Sequence, residues 1–160
     1  MQINDKDAAA YLKLVSGFGA RGVAAGTGDA TEVLGAIVDQ LAHEDLRSGC
    51  IVIFGQAVLA DTKVLDLGDI KIEHGDEANL SDVVDYVYAD FCKPTDVVAQ
   101  VVGDTGGTTE IVEYKQRVNL QGVKRYWRVA FTPDLDATGT DTFTLGGGVV
   151  LIGGEAPLTQ

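Results

Sequence analysis

Eight short runs of residues, rich in valine, isoleucine, threonine and aromatic side chains, fill most of the chain after its first thirty residues. Glycine, aspartate, asparagine or proline separates each run from the next, and these residues favour turns. Short strands at this spacing predict an all-β protein, an antiparallel β-sandwich or barrel of about eight strands. The runs are TEVLGAIVD, GCIVIFGQAVLA, KVLDLGDIKIEHG, DVVDYVYADF, DVVAQVVGD, TTEIVEYKQRVNL, KRYWRVAFTP and DTFTLGGGVVLIGG.

The run KVLDLGDIKIEHG contains a change of phase that predicts a β-bulge. Alternate residues of a regular strand point to the same face. Leu65 and Leu67 have one parity and Ile70 and Ile72 the other, so a regular strand would place the two pairs on opposite faces. One additional residue at Gly68 would keep all four on the buried face.

Two further runs differ in how clearly apolar and polar residues alternate along them. In KRYWRVAFTP, Trp127, Val129 and Phe131 alternate with Tyr126, Arg128 and Ala130. This alternation predicts that the Trp127 face is core. The run DVVDYVYADF is ambiguous, because its apolar residues also fit the spacing of a helix capped by Ser81.

Residues 1–30 are predicted to form an N-terminal arm that precedes a β-sandwich domain over 31–160. Asn4 or Asp5 is suited to cap a short helix through DAAAYLKLV. The stretch that follows, SGFGARGVAAGTGD, has many glycines without a clear period. Such a composition favours a flexible connection.

Gly17, Gly19 and Gly22 match the GxGxxG spacing of a dinucleotide-binding loop. That fingerprint requires a helix that begins at the third glycine. The segment in that place contains Gly26 and Gly28, and each glycine inside a helix costs about 1 kcal/mol relative to alanine. The chain also lacks the alternating strands and helices of a doubly wound sheet, so we expect no cofactor.

Composition argues against several classes of function. The 160 residues suit one domain. Twelve basic and 24 acidic residues give a net charge of −12, and such a surface repels the phosphates of nucleic acid. The apolar runs are far shorter than the roughly 20 residues that cross a bilayer, and the N-terminus lacks the features of a signal peptide. We expect synthesis in the cytoplasm, with neither nucleic acid nor membrane as a direct partner.

Residues 134–139 resemble the start of a calcium-binding loop. Asp134, Asp136 and Gly139 have the DxDxxG spacing, but Leu145 stands where the bidentate glutamate is expected. Turn chemistry in a hairpin loop accounts for the same residues. We favour the plain loop and keep weak calcium binding as the alternative.

No other motif predicts catalysis or a metal site. The two histidines, His43 and His74, are far apart in sequence, and Glu73 would point away from His74 within a strand. Cys50 and Cys92 lack metal-ligand spacing and are predicted to be buried, reduced thiols. We therefore predict no catalytic residue, no metal and no enzymatic activity.

Two segments, KIEHGDEANLSD and VNLQGVKRYWRVAFTPDLDATGTDTFTLGGGVVLIGG, resemble a group of small virion proteins of tailed bacteriophages. In that group a strand like KIQHGD and an acidic loop are followed by a segment like VDLRGAKRYVRV, a threonine-rich hairpin and a final strand ending in LGG. The resemblance covers roughly residues 30 to 154. Several members look like capsid cement or decoration proteins.

The resemblance implies a structural protein on the outer surface of a phage head, with the major capsid protein as its partner. Residues 1–30 are then expected to contact the capsid protein or another copy. Closed symmetry favours a dimer or trimer. The candidate contact residues are Tyr11, Phe18, Arg21 and Tyr126.

Two other functions stay open at this point. A neck or tail component would use the same type of sandwich, and six or twelve copies per particle would distinguish it from a head protein present in hundreds. A carbohydrate-binding sandwich on the virion would use exposed aromatic residues, for which Tyr86, Tyr88 and Tyr126 are the candidates.

Overall fold

The computed structural model describes residues 12–26, 30–43, 48–86, 99–136 and 141–152. Within these ranges the chain forms ten β-strands in two antiparallel sheets packed face to face, which confirms the predicted all-β sandwich. A short 3-10 turn, Gln40–His43, connects two of the strands. The strands are β1 (Leu12–Ala24), β2 (Val33–Leu34), β3 (Val38–Asp39), β4 (Ser48–Leu59), β5 (Val64–Gly75), β6 (Val84–Asp85), β7 (Ala99–Val102), β8 (Thr108–Asn119), β9 (Tyr126–Asp136) and β10 (Thr142–Ile152).

The first sheet has the strand order β1, β10, β4, β8. Strand β4 pairs with β10 on one side and with β8 on the other, in both cases without a register shift. Among the described residues, strands β1 and β8 therefore form the two edges of this sheet.

The second sheet is built around β9 and β5. The short strands β2 and β3 both pair with β9, and β6 and β7 both pair with β5. Apolar side chains from both sheets fill the space between them. The largest fully buried side chains are Trp127, Phe131, Phe143, Ile51, Ile53, Leu59, Leu65, Leu67, Ile70, Ile72, Leu120 and Leu145.

The β-bulge predicted in β5 is confirmed. Gly68 lies opposite Thr132 and Lys71 opposite Ala130, so β5 has one residue more than β9 over this stretch. Asp69 takes the positive φ, 48°, that accommodates the additional residue. The residues that the bulge keeps on one buried face are Leu65, Leu67, Ile70 and Ile72.

The Trp127 face of β9 is also confirmed as core. Trp127, Val129 and Phe131 are all buried. The indole N–H of Trp127 donates a hydrogen bond of 2.7 Å to Oε1 of Gln40, which is buried as well. This bond satisfies the polar part of the indole and connects the 3-10 turn to the core.

The prediction of an N-terminal arm is wrong for Leu12–Ala24. These residues form β1, which pairs with β10 along its length. Val15 and Phe18 are buried in the core that the two sheets share. Backbone pairing and apolar burial therefore hold the segment in the sandwich. The predicted helix through DAAAYLKLV is replaced by β1 at its last four residues, and residues 1–11 lie outside the described ranges.

Two further expectations fall partly on described residues. The ambiguous run 82–91 contains the short strand Val84–Asp85, so no helix begins at Ser81, and residues 87–91 lie outside the described ranges. Cys50 is only half-buried, on the outer face of β4, which corrects the prediction of a buried thiol. Cys92 lies outside the described ranges.

Candidate docking surface

The outer face of the first sheet has an apolar groove whose floor is glycine. Gly146 of β10 lies opposite Phe54 of β4, and Gly148 lies opposite Val52. Because glycine has no side chain, β10 leaves a trough between the side chains of β4 and those of β1. This trough, the glycine groove, has a volume of about 630 Å³. Its floor and walls include Gly146, Gly147, Gly148, Val52, Phe54, Leu14 and Ala20.

The walls of the glycine groove expose large apolar side chains. Leu14 is 69% exposed and Phe54 is 59% exposed. None of the described residues that line the groove is charged, and Gln56 and Thr144 supply polar side chains. An uncharged apolar groove on a chain with a net charge of −12 is the type of surface that marks an interaction site.

The glycines around this groove are needed for different physical reasons. A Cβ at Gly147 would overlap the carbonyl oxygen of Val52, and a Cβ at Gly55 would overlap that of Thr144. These two positions therefore permit close backbone contact within the sheet. Gly146 is different, since a Cβ there would lie 3.7 Å from the nearest atom of Ala20, an ordinary contact distance.

Phe18, a predicted contact residue, lies beneath this groove. It is 8% exposed, and its ring centroid is 4.9 Å from that of Phe131 in the second sheet. The Phe18 ring is therefore part of the core, and it also lines the inner side of the groove, so its role as a contact stays a prediction. Tyr11, the neighbouring candidate, lies outside the described residues.

Arg21 and Tyr126 lie in different sheets, so the fold does not bring these two candidates together. Arg21 is half-buried in β1, and its Nε has no hydrogen-bond partner among the described residues. Tyr126 is half-buried in β9, where the Arg125 guanidinium lies 4.8 Å from the centre of its ring. Arg21 borders a second open depression, formed by β1 with Val33 and Leu34.

The segments KIEHGDEANLSD and VNLQGVKRYWRV meet in one corner of the second sheet. The backbone N–H of Lys124 donates a hydrogen bond of 3.1 Å to Nδ1 of His74. The Lys124 ammonium lies 2.7 Å from Oδ2 of Asp76. Tyr86 packs edge-on against His74 and donates its hydroxyl proton to the carbonyl oxygen of Gln121 at 2.8 Å. These contacts join the loop after β5, Tyr86 and the segment before β9 into one structural unit.

The acidic loop of this corner is held by one carboxylate. Asp82 accepts the backbone N–H groups of Asp76 at 2.7 Å and Glu77 at 3.1 Å. These bonds, followed by the charge of Lys124, hold the pKa of Asp82 below its ordinary value. We call this unit the motif corner: His74, Asp76, Glu77, Asp82, Tyr86 and Lys124.

A charge cluster covers the outer face of the second sheet next to the motif corner. The buried carboxylate of Glu73 accepts a hydrogen bond of 2.7 Å from Nε of Arg128 and lies 3.3 Å from the Lys71 ammonium. Lys71 also contacts Glu32 and Asp85. Burial lowers the pKa of Lys71, but these carboxylates outweigh that effect and raise it above the ordinary value. The two cations of the cluster therefore compensate most, but not all, of the charge of its three carboxylates.

The remaining chemical candidates stay separate from one another. Gly17, Gly19 and Gly22 all lie within the strand β1, which is not the loop of a dinucleotide fold. Asp134 and Asp136 belong to β9, and residues 137–140 of the suggested calcium loop lie outside the described ranges. Within those ranges no three histidine, cysteine or acidic residues converge to hold a metal ion.

Burial and a neighbouring lysine lower the pKa of both histidines. Burial, and then the charge of Lys124, lowers the pKa of His74 below its ordinary value. Burial, and then the charge of Lys13, does the same for His43 at the end of the 3-10 turn. Neutral imidazole is therefore the favoured form of each at neutral pH.

Comparisons of the sequence with models of known protein families and with curated proteins find no match. In the part of the chain that the structure describes, no helix is long and apolar enough to cross a membrane.

Proposed function

We propose that this protein is a capsid cement or decoration protein of a tailed bacteriophage. It binds the outer surface of the head and stabilises the joints between capsomers of the major capsid protein. The observation that carries this proposal is the glycine groove, an exposed surface whose described lining residues carry no charge, on a strongly acidic chain. The resemblance of residues 71–82 and 118–154 to phage virion proteins supplies the class of partner.

The glycine groove is the surface that meets the capsid protein. Its two exposed apolar walls, Leu14 and Phe54, offer the kind of side chains that a partner buries at the centre of an interface. The glycine floor lets a side chain of the partner approach the backbone of β10. Leu14 and Ala20 come from the N-terminal segment that was expected to contact the capsid.

The distribution of charge fits a position outside the shell. A net charge of −12 keeps the exposed surface soluble and away from packaged nucleic acid. Many copies on one particle also multiply a modest energy per contact, because the joints act together. The protein therefore acts through surfaces and not through catalysis.

A carbohydrate-binding role has less support. The hydroxyl of Tyr86 is bound to Gln121, and Tyr126 is half-buried beside Arg125. Each ring therefore already has a neighbouring side chain against it, His74 at Tyr86 and Arg125 at Tyr126. Tyr88 lies outside the described residues.

The experiment is a binding assay on heads that lack this protein. Purified protein is mixed with such heads and the bound fraction is measured after sedimentation. Phe54→Glu places a charge on the groove wall, and we expect binding to weaken at least about tenfold, as for a central interface residue. Val102→Glu is the matched control, because Val102 is also an exposed apolar residue but lies on β7 of the second sheet.

Two results would overturn the proposal. If the unaltered protein does not bind heads, the assignment as a head protein is wrong. If Phe54→Glu and Val102→Glu bind equally well, the glycine groove is not the contact surface.

A further inference from the structure

Three of the four sheet edges in the described residues are unsuited to pairing with another chain. Strand β1 has two register shifts, between Val15 and Phe18 and between Phe18 and Arg21. The edges of the second sheet consist of short strands, two residues each in β2, β3 and β6 and four in β7. Bulges and short strands are two of the means by which proteins block edge-to-edge association.

Strand β8 lacks these protections. It has 12 residues, TTEIVEYKQRVN, with no glycine or proline. Its register with β4 is unbroken from Thr108 to Asn119. On its other side, β8 pairs with no strand among the described residues. A long, regular edge of this kind is a ready template for another strand.

The charges of β8 are arranged so that the strand complements itself. Glu113 and Lys115 point to the same outer face, and their side chains are 71% and 75% exposed. They lie on either side of the middle of the strand. An antiparallel copy of β8, rotated about a twofold axis through that middle, therefore places each Glu113 opposite a Lys115 and each Lys115 opposite a Glu113.

We propose that two copies of this protein pair through β8, antiparallel and in that register, to form a continuous eight-stranded sheet. Opposite charges in cross-strand positions stabilise such a pair, and like charges destabilise it. The same register places Ile111, which is 74% exposed, opposite Arg117 of the second copy. The aliphatic part of an arginine side chain covers an apolar neighbour well. Tyr114 at the centre points to the buried inner face and is not needed for the contact.

The pairing places both glycine grooves on the same side of the dimer. A twofold axis perpendicular to the joined sheet keeps the two outer faces together, and each face carries its groove. If the proposed function is correct, such a dimer attaches to the head at two points and gains avidity. The dimer itself does not depend on that function, because it forms in solution between copies of one chain.

The test uses charge exchange and a measurement of molecular mass in solution over a concentration series. We expect the unaltered protein to be a dimer. Glu113→Lys and Lys115→Glu each place like charges opposite one another in both symmetry-related pairs. We therefore expect each variant to dimerise at least about tenfold more weakly. Both side chains are exposed, so circular dichroism should show an unchanged fold.

Two rescues identify the register. The double variant, Glu113→Lys with Lys115→Glu, restores opposite charges and should dimerise like the unaltered protein. An equimolar mixture of the two single variants should form a heterodimer, because every charge of one then faces its opposite on the other.

A monomeric or trimeric unaltered protein would overturn the inference, as would single variants that dimerise normally. If the single variants dimerise more weakly but neither the double variant nor the mixture recovers dimerisation, the proposed register is wrong. Loss of head binding by Phe54→Glu with the dimer intact separates this contact from the one with the capsid.

Discussion

Gly147 lies so close to Val52 on the neighbouring strand that a Cβ at Gly147 would overlap the Val52 carbonyl oxygen. The contact brings the backbones of β10 and β4 together beneath the glycine groove. The shape of the candidate docking surface therefore depends on a backbone contact that only glycine allows.

Replacement of Gly147 by alanine should destabilise the fold. The added methyl group must displace strand backbone, and overpacking of this kind typically costs about 1–3 kcal/mol. Gly146→Ala is the matched control, since its methyl group meets Ala20 at 3.7 Å without a clash. Urea denaturation measures the free energy of unfolding of both variants. Equal stability of the two variants would contradict the steric role assigned to Gly147.

Stability should decrease as the pH falls through the histidine range. The pKa values of His74 and His43 lie below their ordinary value of 6.5 in the folded protein, chiefly because of burial. As the pH falls, the histidines of the unfolded chain therefore take up protons before those of the folded protein. The stability that the two neutral histidines contribute is fully present above pH 6.5 and is lost as the pH falls from there through the folded pKa values. Thermal unfolding at about pH 7.5 and about pH 5.5 measures the effect.

The variant His74→Asn isolates the contribution of the motif corner. An asparagine oxygen can still accept the Lys124 N–H but does not titrate. We expect the melting temperature of this variant to vary less between the two pH values than that of the unaltered protein. A double variant with His43→Asn should vary least. An undiminished pH dependence in His74→Asn would show that His74 does not carry the effect.

Loss of the buried Glu73 charge should destabilise the second sheet. Glu73→Gln leaves Arg128 and Lys71 without their shared carboxylate, and hydrogen bonds to charged groups contribute about 1.5–3 kcal/mol. Asp39→Asn is the comparison, because the Asp39–Arg125 pair is more exposed and solvent screens its attraction. Denaturant unfolding should rank Glu73→Gln as the less stable variant, and the reverse order would contradict this account.

Removal of the Asp82 carboxylate should loosen the acidic loop locally. Asp82→Ala leaves the N–H groups of Asp76 and Glu77 without their acceptor. We expect faster hydrogen exchange at these two amides, while amides in the centre of β9 keep their protection. Unchanged exchange at Asp76 and Glu77 would mean that the Asp82 carboxylate does not hold the loop.

The parts of the fold that follow simple alternation were predictable from the sequence. The phase change at Gly68 predicted the bulge in β5, and alternation predicted the Trp127 face, because both depend only on which residues are apolar. Strand β1 was missed. Its two register shifts and its glycines break the period of two, so a strand resembled a flexible arm.

The glycine groove was also missed, although a signal for it existed. In the run GCIVIFG, Ile51 and Ile53 point inward, so Phe54 must point outward in a regular strand. The order of the strands, in which β10 lies between β4 and β1, cannot be predicted from the sequence pattern. Only this order of strands places the glycines 146–148 between Phe54 and Leu14.

Cryo-electron microscopy of intact phage particles, at a resolution that traces this chain, tests the central claim most directly. We expect the sandwich on the outer surface of the head, in hundreds of copies, with Leu14 and Phe54 of the glycine groove against the major capsid protein. A chain found at the neck or tail in six or twelve copies, or one bound to the head through the second sheet, would contradict the account.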